Sequence, residues 1–179
     1  MSKEFEIKTR VEDLKEVKKK LKLYKFKFEK KVKLTDFILS HNSLNESLWA
    51  RLRLINNNKK PFVAIKSPKK GSNKNESNEI EFKSWSNIDS TLRVAEALGF
   101  TTLLSYSKTR EVFVKNNIEI VLDKVPGLGN FMEIEVQEKT RKQATKILSD
   151  YKKKFGIKKV IKKGYYGLFQ EKEKSKLFG

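Results

Sequence analysis

The chain has 179 residues, 37% of them hydrophobic, and carries 41 Lys and Arg against 22 Asp and Glu, a net charge of +19. That length fits one large domain with its own core, and no apolar run approaches the roughly 20 residues that span a bilayer. With no cysteine, disulfides and zinc–thiolate sites are excluded.

The opening MSKEFEIKTR lacks the apolar stretch of a signal peptide, so a cytoplasmic protein is expected. Residues 3–10 alternate charge with Phe5 and Ile7, which predicts a strand. Val11, Leu14, Val17 and Leu21 then make a helical stripe over 11–23. Strands are predicted at 31–40 and 47–55, and a turn at Asn56–Lys60 leads into another at 61–67. The polar residues 68–78 predict a mobile loop. A strand over 79–84 precedes a helix capped by Ser86 or Asn87 and stopped by Gly99. Strands at 108–115 and 118–124 are joined by the Asn116-Asn117 turn. After the loop 125–129 comes a strand over 130–137, then a helix from Thr140 to Gly156. A short strand near 158–169 and a frayed tail over 171–179 complete the reading, with 1–170 as a single domain. The lone histidine, His41, falls in a polar loop and reads as a surface residue. Trp49 and Trp85 read as packing between sheet and helix.

Side chains two apart on a strand share a face. Like charges recur at that spacing: Glu4/Glu6, Arg51/Arg53, Glu79/Glu81, Lys108/Arg110 and Glu133/Glu135, with Lys66, Glu119 and Asp123 on further strands. The alternate positions are mostly apolar. One wet sheet face gives this alternation too, but such a face normally mixes polar types, whereas here whole strands are acidic or basic. A closed antiparallel barrel accounts for the set: apolar faces outward under three amphipathic helices, charged faces inward. Carboxylates would hold Mg²⁺ or Mn²⁺ and the basic strands phosphate oxygens. Only six of the basic residues are Arg, the side chain that grips phosphate bidentately, and Arg51, Arg53 and Arg110 lie on these strands.

Glu4-Phe5-Glu6-Ile7-Lys8 resembles the ExExK signature of the CYTH superfamily, which includes class IV adenylyl cyclases, thiamine triphosphatases and inorganic triphosphatases. The likeness runs nearly end to end. Arg51-Leu52-Arg53 resembles its RxR strand, Lys66-Ser67-Pro68 its K-G-P step with Ser for Gly, and Lys108-Thr109-Arg110 its KxR strand. Asp123 with Leu128 to Glu135 resembles the D…LGxFxEIE segment, and Lys163 with Tyr165 the closing Lys and SY segment. Asp36-Phe37 matches the DTYF stretch only in part, and Gly164 replaces the Ser before Tyr165. The resemblance implies an α+β fold, an eight-stranded antiparallel β-barrel forming a triphosphate tunnel with helices packed outside. It implies metal ligands Glu4, Glu6, Glu81, Asp123, Glu133 and Glu135, with Glu79 alternatively steadying basic neighbours. It implies triphosphate contacts from Lys8, Arg51, Arg53, Lys66, Lys108, Arg110 and Lys163. Lys8, Asp123 and Glu133 form the expected catalytic set.

Two chemistries use such a set. A cyclase turns ATP into cyclic AMP and pyrophosphate. A triphosphatase hydrolyses thiamine, inorganic or nucleoside triphosphate. The wording around Asp123 to Glu135 and the chain length lean toward the cyclase branch. A third class, a non-catalytic binder of RNA or other polyanion, would suit the net charge but not the acidic strands. The expected partner is a small-molecule triphosphate, with a homodimer compatible and no membrane partner.

Overall fold

The computed structural model describes residues 3–41, 48–68 and 77–177; most of the polar loop expected over 68–78 lies outside them. β1 (Lys3–Val11) ends before Asp13, which accepts the Lys15 N–H at 2.7 Å and caps α1 (Leu14–Leu23). That leaves Val17 and Leu21 of α1 facing the core. β2 (Lys27–His41), β3 (Leu48–Ile55), β4 (Phe62–Pro68) and β5 (Ser77–Lys83) follow. Asn87, rather than Ser86, caps α2 (Ile88–Ala97) by accepting the Ser90 N–H at 2.9 Å. β6 (Phe100–Lys115), β7 (Ile118–Val125) and β8 (Gly129–Glu138) form a meander. Asn116 makes its first turn at φ 53°, a conformation Asn tolerates better than most residues.

α3 (Arg141–Phe155) starts on Thr140, whose hydroxyl oxygen accepts the Gln143 N–H, and stops at Gly156 with φ 69°. There the Gly156 and Ile157 N–H groups reach the Lys153 and Lys152 carbonyls, which closes off carbonyls the helix leaves unsatisfied. α4 (Tyr165–Leu177) follows. The fold class is α+β. Among the described residues the strands form one antiparallel sheet in the order β1-β8-β7-β6-β2-β3-β4-β5, and no helix is long and apolar enough to cross a membrane.

The chain divides into two compact units. The first takes Met1–Val32 with Lys108–Gly179. Its core joins the apolar face of β1, β7 and β8 to α1 and α3 through Leu21, Ile120, Met132, Ile134 and Tyr151. The second takes Lys33–Ser107, where Leu39, Ala50, Leu52 and Val63 pack beneath Ile88, Leu92 and Ala95 of α2.

Several expectations are corrected. Residues 158–169 are not a strand: only Ile161 bridges to Lys8, and α4 begins at Tyr165 and carries the supposedly frayed tail as helix to Leu177. The described helices thus number four rather than three. β6 starts at Phe100, eight residues earlier than its apolar pattern suggests, and β2 starts at Lys27. None of the residues in these extensions is buried, so no strong alternation marks them. His41 ends β2 half-buried, its ring edge-on to Phe100 at 5.1 Å and its Nε2 3.0 Å from the Leu98 carbonyl oxygen. Trp85 is 91% exposed rather than packed.

Candidate active site

In the first unit, register builds the site. Residues opposite one another in an antiparallel pair share a face. Lys8 lies opposite Glu133 and Glu6 opposite Glu135; Glu135 also faces Glu119, and Arg110 faces Asp123. One face therefore carries charge in rows across four strands, while Ile7, Ile134, Ile120 and Phe113 occupy the other and pack beneath α1 and α3.

Asp123 is fully buried at the middle of an ionic network. It accepts hydrogen bonds from Lys108 Nζ at 2.7 Å, from Arg110 Nε and Nη2 at 2.7 Å each, and from the Tyr165 hydroxyl at 2.8 Å. Burial alone would raise its pKa, but the Arg110 hydrogen bonds and the charges of Arg110 and Lys108 outweigh this and hold the carboxyl well below its usual range. Glu133 is the second centre. It meets Arg110 Nη2 at 2.6 Å, Lys8 Nζ at 3.0 Å and the Tyr165 hydroxyl at 3.3 Å. Its pKa is also lowered, burial being overcome by Arg110 and Lys8. Burial and the neighbouring Arg110 charge push the Lys108 ammonium down to about 8, against the pull of Asp123. The Tyr165 ring lies 4.6 Å from both the Lys8 and Lys108 ammonium groups, and burial followed by its carboxylate neighbours raises its phenol pKa.

At the other end of the same face the balance reverses. Glu4, Glu6 and Glu135 each offer a carboxylate oxygen within 4.8 Å of the other two. Burial first, then the Glu4 charge, pushes Glu135 up to about 7. Three oxygen donors holding excess negative charge are the hard, anionic set that Mg²⁺ or Mn²⁺ prefers, so the residues present fit such an ion.

The second unit holds its charges differently. Arg53 donates from Nε and Nη2 to the two oxygens of fully buried Asp36, at 2.7 and 2.8 Å. The Tyr106 hydroxyl donates to Asp36 Oδ2 at 3.0 Å, and burial together with the Asp36 charge raises the Tyr106 pKa. Arg51 and Glu81 flank Ala64 across β3, β4 and β5 and approach to 3.3 Å. Lys66 is exposed and sits opposite Glu79 in the register.

The residues expected from sequence are thus sorted into groups. Lys8, Lys108, Arg110, Asp123 and Glu133 come together, as do Glu4, Glu6 and Glu135. Asp123 and Glu133 are engaged by cations, Glu81 by Arg51, and Lys163 by Glu171 in an exposed pair outside the network. Lys108 is only 3% exposed and serves Asp123 from beneath. The roles of Asp36, Tyr106 and Tyr165 were not read from the sequence. Asp36 precedes the apolar run Phe37–Leu39 of β2 and lies in the partial DTYF match, and neither signal gave its role as the partner of Arg53.

A model of the CYTH domain matches residues 2–165, and the chain belongs to the CYTH family. A Methanocaldococcus jannaschii protein provisionally named as an adenylate cyclase is 31% identical over 172 residues, covering 92% of this chain and 97% of its own. A solved Pyrococcus horikoshii protein superimposes with a TM-score of 0.78 at 27% identity, over 93% of this chain and 99% of that one. A Hippeastrum protein, described as a provisional adenylyl cyclase that reveals a dominant triphosphatase activity, gives a TM-score of 0.60 at 19% identity, over 94% and 96% of the two chains.

Proposed function

We propose that this protein is a divalent-metal-dependent enzyme acting on a nucleoside or organic triphosphate, with a class IV adenylyl cyclase-type reaction as the first reading. One observation carries it: a three-carboxylate cluster and a cationic network share one face of β1, β8, β7 and β6. A triphosphate needs both, anionic donors for its metal and fixed cations for its oxygens.

In this reading Glu4, Glu6 and Glu135 hold Mg²⁺ or Mn²⁺. The bound ion would neutralise phosphate oxygens and polarise the reacting phosphorus. Lys8 and Arg110 present N–H donors to the triphosphate. Glu133, held by both, fixes their heads before substrate arrives, so little reorganisation accompanies reaction. Asp123, itself held by Lys108 and Tyr165, locks Arg110 from behind. Arg51, Arg53 and Lys66 are proposed phosphate ligands on their motifs. The eight-stranded sheet is taken as the wall of the tunnel that the family resemblance implies, and the lack of cysteine fits a cytoplasmic setting. In the cyclase reaction the ribose 3′-hydroxyl attacks the α-phosphorus and pyrophosphate leaves. In the second reading, triphosphate hydrolysis, water attacks the terminal phosphate with the same residues in place.

The test is to incubate purified protein with Mg²⁺ or Mn²⁺ and ATP, thiamine triphosphate or tripolyphosphate, and to resolve the products. Cyclic AMP with pyrophosphate supports the first reading; orthophosphate supports the second. Glu133→Gln is expected to abolish turnover while keeping much of the binding. No turnover of any of the three, together with no rise in Tm on adding Mg²⁺ plus tripolyphosphate, would sink both readings.

A further inference from the structure

Outside the charged face, the first unit contains a cleft of about 790 Å³, within the range of small-molecule sites. It lies between the β1–α1 junction and the irregular segment 156–163, with α4 at one side. Its floor is core: Val17, Met132, Phe155, Ile157 and Leu168, each less than a tenth exposed. Two backbone contacts fix the irregular segment: the Thr9 hydroxyl donates to the Lys159 carbonyl at 2.9 Å, and the Ile161 N–H to the Lys8 carbonyl at 2.7 Å.

The charges on its rim do not cancel evenly. Of the lining carboxylates, Asp13 is occupied capping α1, Glu16 pairs with Lys19, and Glu171 pairs with Lys163 and feels the charges of Lys159 and Arg10, which leaves exposed Glu12 against Lys158 and Lys162. Lys158, Lys159 and Lys162 line the cleft and form no ion pair among the described residues. Three ammonium groups beside an apolar floor match neither a bare polyphosphate, which offers the floor nothing, nor a neutral hydrocarbon, which leaves the lysines unused.

We infer that this cleft is a second ligand site, separate from the charged sheet face, for a small anionic amphiphile. An aromatic or aliphatic body lies on the Met132–Phe155–Leu168 floor, and a carboxylate, sulfonate or phosphate head meets Lys158, Lys159 and Lys162. Tripolyphosphate is not its ligand, so the inference stands or falls independently of the triphosphate reading.

The probe is 8-anilinonaphthalene-1-sulfonate, which joins an aromatic body to one anionic head. N-phenyl-1-naphthylamine, the same body without the head, serves as its neutral partner. Binding is followed by fluorescence at about 0.15 M salt, where long-range surface attraction is largely screened, and by amide NMR shifts. The expected result is sulfonate binding that shifts amides of 9–13 and 156–163. A Lys158→Gln, Lys159→Gln, Lys162→Gln variant should weaken it about tenfold, as for loss of a charge-assisted contact. The neutral amine should bind both proteins alike. Changing Lys152, Lys153 and Lys174 to Gln alters net charge equally and should leave sulfonate binding intact. The inference is overturned if the two triple variants weaken binding equally. It is overturned as well if the amide shifts fall on 80–98, or if Phe82→Ser with Trp85→Ser removes the signal, since the probe would then sit on exposed apolar surface of the second unit.

Discussion

The two units solve the same problem, holding charge on one sheet face and oil on the other, with opposite degrees of commitment. In the first, Asp123, Glu133 and Lys108 are buried in a shared network, and Ile120, Ile134 and Val136 beneath the helices are wholly inaccessible. In the second, Arg53 is held by buried Asp36, while Arg51 is 31% exposed and meets Glu81, which is 62% exposed. Its helix α2 has no fully buried residue, and Ile80, Phe82, Val94 and Leu98 are each more than half exposed. Charge can be fixed firmly only where apolar packing on the reverse face fixes the strands that carry it. The first unit has that support, and its ionic groups are rigid enough to be preorganised. The second holds one buried anchor, Asp36, which fixes Arg53, and pairs Arg51 with a carboxylate that is largely exposed.

The comparison can be broken most directly at Asp123. Asp123→Ala leaves Lys108 and Arg110 buried with one carboxylate fewer, which is expected to cost about 3–5 kcal/mol in urea denaturation. The same measurement on Arg51→Ala should give at most about 1 kcal/mol, because its partner Glu81 is largely exposed. Equal losses would mean that burial does not separate the units. A smaller effect is expected from Tyr165→Phe, which removes a donor to two carboxylates and should cost about 1.5–3 kcal/mol. Tyr106→Phe removes a donor to Asp36, whose two oxygens Arg53 still holds, and should cost less.

A last test concerns pH. Glu135 has its pKa pushed up to about 7 from an ordinary 4.5, so between those values the folded chain keeps a proton that the unfolded chain releases. Metal-free stability at this group should therefore increase as pH falls from 7 toward 4.5. Comparing urea midpoints of wild type and Glu135→Gln across that window isolates the term. A wild-type curve parallel to the variant's would show that Glu135 titrates normally.

How much of this was legible in the sequence depended on burial. The charged pairs of β1 and β8 could be read off Glu4/Glu6 and Glu133/Glu135 because each alternates with apolar residues of the core face, although the middle of β7 and of β8 is buried on both faces. Spacing placed those carboxylates on one face but could not divide them. Register, which sets Lys8 against Glu133 and Arg110 against Asp123, makes two of them anchors for cations and leaves Glu4, Glu6 and Glu135 as a cluster. The first turns of β6 carry no apolar alternation because little there is buried. α4 was missed for a related reason: Tyr165 and Leu168 are its buried contacts, too few to draw a stripe. The pairing of Tyr165 with Asp123 joins positions 42 apart in the chain, beyond the reach of any local pattern.

The partnership of β1 with β8 also governs how the molecule is born. Every residue from Lys3 to Val11 pairs with one between Asn130 and Glu138, so on the ribosome β1 emerges with nothing to pair with. At roughly 5–20 residues per second it waits on the order of ten seconds, a hydrophobic Phe5–Ile7 face uncovered, until its neighbour is made. The second unit, whose strands follow one another directly, can begin folding during that interval. The half of the molecule with the looser packing therefore has the head start, and the half that holds the buried ionic network closes last.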